Sequence, residues 1–553
     1  MSYGRQKGPT TWQGSWTLSL IMGAAGWHLW PLAQHADMAA VICAACWLGA
    51  VKHLNGGLAL WDVAVAHNRL RRIGERETTN HGQARWADLE DVEKAGMSKP
   101  GGLFLGTLES RELFHNGEGS LLAIAGPGQG KSTCLAMQQL LRAENSMLVM
   151  DTKLELFATC GRALRKKGFR VWVLNPWAES FAEQFGGAIQ ARDDGFDPCV
   201  FLDPKSDHVI DDCALLASLL IPAPGKQKES EDFWRDFSQT ILVAFMLLAL
   251  HKEGKVTLPS LRRALMAQTA ELEHAIEEME QSTAFSGVLA EYGARLAGPY
   301  VNAPKEWSGG LSGAMKSLRV YDAHGPLGRH SSKGGIDFRS FKDEKTACFL
   351  AIPSEKVATH SAWLGMVVTI AMEMIARDRR QSRVTFLLDE FQNLPRLDPV
   401  LKGIALYRSV GIQFVFLVQF ASALQRLYGE SWREFLGCEV VCAFGATSDM
   451  VTLKLFSELA GQETFRNRSF TSHPDQVLAA ELGMSFGLGD AGRPILRPEE
   501  ARTLPDGMQL IFAKNLPPIL ANKQSYLDVP RLRRRADPNP YYRRVKGPKK
   551  VVA

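Results

Sequence analysis

Residues 125–133 read AGPGQGKST, three glycines followed by a lysine and two hydroxyl residues. Those residue types suit the wrapping of a phosphate chain. Gly126, Gly128 and Gly130 leave no Cβ in the path of inward-turned backbone N–H groups, and Ala125 stands at the first position of the pattern. An apolar run, Leu121–Ile124, precedes the stretch, and a helix-like run, Cys134–Met137, follows it. The helix would add its N-terminal dipole to the same anion. Lys131 is placed to meet the β and γ phosphates and Ser132 to offer its hydroxyl to Mg²⁺. The full expected nucleotide-binding set is Ala125, Gly126, Pro127, Gly128, Gln129, Gly130, Lys131, Ser132 and Thr133.

A phosphate loop needs a second carboxylate site, and VTFLLDEF ends an apolar run in Asp389 and Glu390. Asp389 is the expected second Mg²⁺ residue, and Glu390 the group that polarises an attacking water. Gln419 closes FVFLVQ, where an amide could sense the γ phosphate. Arg408 in LYRSVGIQ is a candidate to reach the nucleotide of a neighbouring subunit. Together these residues point to hydrolysis of a nucleoside triphosphate, with ATP and Mg²⁺ as the expected ligands.

The elements that must position them are legible as apolar runs bounded by Asp, Pro and Gly: LLAIA, MLVM, VWVL, CFLAI, VTFLL, FVFLV, VVCAF and LIFA. Such runs are strands buried on both faces, and helical segments between most of them predict an α/β fold with a parallel sheet. From about residue 205 to 317 the strand signal vanishes and helical periodicity takes over, which predicts an all-α insertion. Within it ILVAFMLLAL, residues 241–250, is too short to span a membrane and reads as a buried helix. The tail from Arg531, RLRRRADPNPYYRRVKGPKK, has no apolar periodicity and is expected to be disordered, drawn either to DNA phosphates or to anionic lipid.

The chain has 553 residues, enough for three or four domains, and 46% hydrophobic against 22% charged residues is ordinary for folded protein. A net charge of +5 is too small to announce nucleic-acid binding by itself. Nine cysteines are scattered without a ladder of pairs, so a disulfide-stapled exported domain is not expected; Cys43 and Cys46 read as packing residues. The N-terminus differs. Two nearly uncharged runs, SWTLSLIMGAAGWHLWPLA and MAAVICAACWLGAV, are separated by a turn without Lys or Arg. With tryptophans near their ends and basic residues outside them, they predict a two-helix membrane anchor with both ends in the cytoplasm. A cleaved signal peptide is the rival reading.

These pieces, taken in order, resemble the TraG/TraD-type coupling proteins of conjugation and type IV secretion. The shared stretches are the two-helix anchor, HGQARWA (His81 to Ala87), AGPGQGKST, DTKLEL (Asp151 to Leu156), VLNP, Phe233-Trp234, LLDEFQNL, VQF and RLYG. The resemblance implies a RecA-like P-loop NTPase domain with an all-α insertion, assembled as a homo-hexamer at the bacterial inner membrane. It also implies delivery of single-stranded DNA with its relaxase, or of protein effectors, to the channel components of a secretion system. By position, Lys131 and Ser132 match the family's phosphate-loop residues, Asp389 and Glu390 its acidic pair, Gln419 its γ-phosphate sensor and Arg408 its arginine finger. The expected division is 1–75 anchor, 76–204 with 318–530 motor, 205–317 helical insertion and 531–553 tail. Family members often carry glycine where Leu154 stands, which leaves Lys153 and Glu155 without a firm role.

Two other classes stay open. One is a docking receptor in which ATP binding controls assembly; the other is an FtsK-like pump of double-stranded DNA, against which the absence of a recognisable C-terminal winged helix counts. GMSFG (Gly483 to Gly487) matches the hydrolase elbow, which needs a strand before and a helix after. No His/Cys cluster has zinc spacing.

Overall fold

The computed structural model describes residues 82–184, 192–222, 229–380, 382–445, 447–472 and 484–542. The expected membrane anchor, Cys43 and Cys46, and residues 543–553 of the tail lie outside them. The chain divides into two compact units, one of residues 84–461 with 494–553 and one of residues 1–83 with 462–493.

Eleven strands of the larger unit form one sheet: β1 (Leu103–Leu108), β2 (Arg111–His115), β3 (Leu121–Ala125), β4 (Ser146–Met150), β5 (Arg170–Leu174), β6 (Thr346–Leu350), β7 (Val384–Leu388), β8 (Ile412–Val418), β9 (Val440–Phe444), β12 (Met508–Ala513) and β13 (Ile519–Asn522). Their order is β2-β1-β13-β12-β9-β3-β8-β7-β4-β6-β5. From β9 to β5 every pairing is parallel. LIFA lies in β12, which runs antiparallel to β9, and the sheet then continues antiparallel through β13, β1 and β2. The wholly parallel sheet read from sequence is therefore corrected to a mixed one. A loop of only five residues joins β12 to β13. So short a link permits a hairpin but no parallel crossover.

Side chains alternate between two hydrophobic layers. Leu122 and Ile124 of β3 join the core on one face, while Leu121, Ala123 and Ala125 join the core on the other. Covering both faces explains why these strands read as continuous apolar runs. Between β5 and β6 the described residues form helices and no strand, from Val209–Leu220 to Pro304–Leu318. Two helices, Asp232–Glu253 and Ser354–Arg377, are long and apolar enough to cross a membrane, yet the apolar window of each is 67% buried inside the fold. Their hydropathy belongs to the core, as expected for residues 241–250.

The tail differs from expectation. Pro530–Arg535 is a helix and Pro540–Tyr542 a 3-10 turn. Leu532 is 1% exposed, Arg162 Nε donates to Asp537 at 2.7 Å and Asn539 Nδ2 to Glu155 at 2.6 Å. Tertiary contacts, not local periodicity, hold this segment.

The smaller unit contains a two-stranded sheet of β10 (Gln462–Ser472) and β11 (Met484–Pro494), whose last residue belongs to the larger unit. Met484 to Gly487 of GMSFG lie inside β11, with strand rather than helix after them, which disposes of the hydrolase elbow.

Candidate active site

Parallel strands bring their C-terminal ends to one edge, and the chemistry predicted from sequence collects there. β3 delivers the glycine loop, β8 delivers Gln419, β7 delivers Asp389 and Glu390, and β4 delivers Asp151. β8 is interposed between β3 and β7, so Gln419 follows the strand that separates the loop from the acidic pair.

The loop turns with Gly128 at φ +75° and Gly130 at φ +84°, conformations that a side chain would strain. Gln129 N donates to Gly126 O at 3.3 Å, and Cys134 N to Gly130 O at 2.8 Å. The helix opens as a π turn, Ser132–Ala136, and continues as Met137–Arg142. Such widened turns recur at functional sites. From the far end of the chain, Lys523 Nζ donates to the Gln129 carbonyl at 3.2 Å and lies 4.9 Å from the Phe444 ring centroid. Burial holds the Lys523 ammonium below its usual pKa.

Lys131 Nζ is buried and makes no hydrogen bond, although it stands 3.3 Å from Asp389 Oδ1 and 3.7 Å from Glu390 Oε1. Lys153 Nζ approaches the same Glu390 oxygen at 3.4 Å. Burial raises the Asp389 carboxyl above the ordinary range, Lys131 opposes that rise, and the Glu390 charge adds to it. Glu390 itself sits in a left-handed conformation, φ +52°, and accepts from Asn393 Nδ2 at 3.0 Å. A non-glycine residue held this way carries strain that the surroundings must enforce.

Asp151, 2% exposed at the end of β4, accepts from Phe157 N at 2.7 Å. Burial pushes its carboxyl up to about 7. Leu154 follows in a left-handed conformation, φ +55°, with its side chain fully buried. That backbone is the physical reason a glycine would suit the position.

The residues fit a magnesium nucleotide. A buried ammonium without a hydrogen bond, a glycine-lined turn at a helix N-terminus and a part-buried carboxylate opposite are the donor and acceptor set such a ligand requires. Ser132, Lys131, Asp389, Glu390 and Gln419 are brought to this edge.

Arg408 is not. It lies in the turn Tyr407–Val410, ahead of β8, and the seven residues of β8 put about 23 Å between that turn and the loop edge. Its guanidinium pairs instead with Glu439 and with Glu118. Sequence reasoning missed Lys523 and Glu439, since no local pattern marks either, while Lys153 and Asp151 were visible only as part of DTKLEL.

A protein-family model described as Type IV secretory system Conjugative DNA transfer matches residues 85–545. Protein VirD4 of Rhizobium rhizogenes is 26% identical over 501 residues, spanning 84% of this chain and 68% of the relative. Conjugal transfer protein TraG of Escherichia coli is 25% identical over 537 residues, spanning 87% and 82%. Among solved structures, the bacterial conjugative coupling protein TrwB superposes with a TM-score of 0.59 at 17% identity, covering 80% of this chain and 92% of that one. TrwB in complex with ADP and Mg²⁺ superposes with a TM-score of 0.58, covering 80% and 94%. At that identity the likeness is one of fold.

Proposed function

The chain belongs to the type IV secretory system conjugative DNA transfer family, and from that premise we propose that it is an inner-membrane coupling ATPase that drives single-stranded DNA, with its relaxase, toward the secretion channel. The observation that carries the nucleotide reading is the buried Lys131 ammonium, without a hydrogen bond, set between the glycine loop and Asp389. TrwB, of the same fold, has been solved with ADP and Mg²⁺, which supports the same ligands here.

In this reading Ala125 to Thr133 hold the phosphates through backbone N–H groups, and Ser132 and Asp389 hold the metal. Bound Mg²⁺ would supply Lewis-acid charge stabilisation at the transferring phosphoryl group. Lys131 neutralises charge on the phosphate side, and Glu390, on its strained turn, orients a water and accepts its proton. Lys153 Nζ at 3.4 Å and Lys131 Nζ at 3.7 Å pair with the Glu390 carboxylate and hold it in place for that task. Gln419, between the two halves of the site, reads the γ phosphate. Arg408 serves the nucleotide of the next subunit in a homo-hexamer, which agrees with its place at the far end of β8. Residues 76–204 and 318–530 make up the motor, 205–317 the cargo-facing helices, and the first 75 residues the anchor.

Steady-state ATP hydrolysis and plasmid transfer by Lys131→Ala and Glu390→Gln test the proposal. Both variants should lose hydrolysis and transfer while remaining in the membrane; normal transfer by either removes the motor role. A second reading, cargo docking controlled by ATP binding, draws on the exposed pair Phe233 and Trp234 of the helical region, 52% and 41% exposed. Transfer that survives Glu390→Gln favours it.

A further inference from the structure

The turn joining β2 to β3, His115-Asn116-Gly117-Glu118-Gly119-Ser120, is built around one side chain from a distant part of the sequence. Glu439, next to the start of β9, accepts from Gly119 N at 3.2 Å through Oε2, which also lies 3.4 Å from His115 Nε2. Its other oxygen, Oε1, accepts from Arg408 Nη1. The glycines leave it room. A Cβ at Gly119 would fall 2.2 Å from Glu439 Cγ, and one at Gly117 2.6 Å from Glu439 Oε2.

The turn is pinned from a second side as well. Gln413 of β8 donates through Nε2 to Gly119 O at 2.8 Å, and Phe414 N donates to Ser120 Oγ at 3.1 Å. Ser120 leads directly into β3, whose other end is the glycine loop. One carboxylate therefore holds Arg408 at one end of the sheet and is fastened to the strand that carries the chain's own phosphate loop.

We propose that Glu439 is a positioning residue for Arg408: it fixes the guanidinium at the subunit surface in the orientation needed to reach a neighbouring copy's nucleotide. This rests on the reading of Arg408 as acting between subunits. A charge-assisted bond from one oxygen, with the other oxygen anchored on backbone, sets direction as well as charge, and a misplaced group loses far more rate than binding.

The test uses the full-length chain in detergent, alone and in mixtures of variants. Glu439→Gln should lower kcat for ATP by about tenfold to a hundredfold while leaving KM within about twofold, and Glu439→Asp should recover part of the rate. Mixing Glu439→Gln with Lys131→Ala should restore several-fold more activity than the sum of the two alone, because the first keeps an intact nucleotide site and the second an intact Arg408. Mixing Glu439→Gln with Arg408→Ala should restore nothing, as both lack a working arginine. A general folding defect in Glu439→Gln would not be rescued in the first mixture, and that outcome overturns the proposal. So does a wild-type or raised kcat in Glu439→Gln. Failure of Arg408→Ala to be rescued by Lys131→Ala has a different meaning: it removes the intersubunit role of Arg408 itself.

Discussion

Lys131 Nζ stands 3.3 Å from Asp389 Oδ1, although the strands that carry the two residues are not neighbours and β8 runs between them. The lysine bridges that gap and balances two part-buried carboxylates, with no hydrogen bond of its own to give up to an incoming phosphate. Lys131→Ala should reduce ATP hydrolysis by at least about a hundredfold, and Lys131→Arg should not recover it, because a planar fork cannot replace a compact ammonium here. More than a tenth of the wild-type rate in steady-state assays of either variant would contradict this assignment.

Asp151 supplies a pH signature. Burial raises its folded-state pKa from the ordinary 3.8 to about 7, so the folded chain holds a proton that the unfolded chain releases. The sign follows: this group contributes most stability below the unfolded pKa and loses it as pH rises through about 7. Asp151→Asn keeps an oxygen for the Phe157 N–H and cannot ionise. Thermal melts from pH 5 to pH 8 should show the variant gaining on wild type as pH rises; a constant offset would mean that Asp151 does not titrate in that window.

Gly119→Ala tests the packing around Glu439 without touching either charged residue. Its Cβ would lie 2.2 Å from Glu439 Cγ and Cδ, so the carboxylate must move and release Arg408. We expect a loss of about 1–3 kcal/mol in stability by denaturant titration, together with the kcat defect of Glu439→Gln. Unchanged stability and unchanged kcat would show that the turn relaxes freely.

Lys523→Met should weaken nucleotide binding. The ammonium donates to the Gln129 carbonyl and side chain, tying the glycine loop to the segment after β13. Its removal leaves the loop free to sample other shapes before ligand arrives, which lowers apparent affinity by the fraction of competent loop. Titration of a fluorescent ATP analogue should read a several-fold higher Kd, and an unaltered Kd would rule out this clamp.

A stop after Val529 should lower Tm by several degrees. The cut removes Leu532, whose burial contributes about 2 kcal/mol, and the Asp537 and Asn539 contacts to Arg162 and Glu155. An unchanged melting curve would return the whole segment to the disordered tail expected from its composition.

That tail shows where local patterns stop being informative. PRLRRR contains a single apolar residue, and only the pocket that receives Leu532 makes a helix of it. The parallel strands were legible because both faces are covered, which leaves nearly unbroken apolar runs. β1 and β2 were not: Gly106 interrupts the first, and the second opens with exposed and half-buried residues. At the site, the loop and Asp389-Glu390 announce themselves by spacing, whereas Lys523 meets Gln129 across 394 positions of sequence.

The length of β8 has one more consequence. With a phosphate loop at one end and its arginine at the other, each chain is polar in the way a magnet is polar. If Arg408 serves a neighbour's nucleotide as proposed, successive copies joined end to end would leave one unfilled loop and one idle arginine at the extremities, and only closure into a ring would remove both. A wild-type copy flanked by one competent and one Arg408-deficient neighbour would then be active or idle according to the side on which the competent one stands, which would give such an assembly a sense of rotation before any cargo enters it.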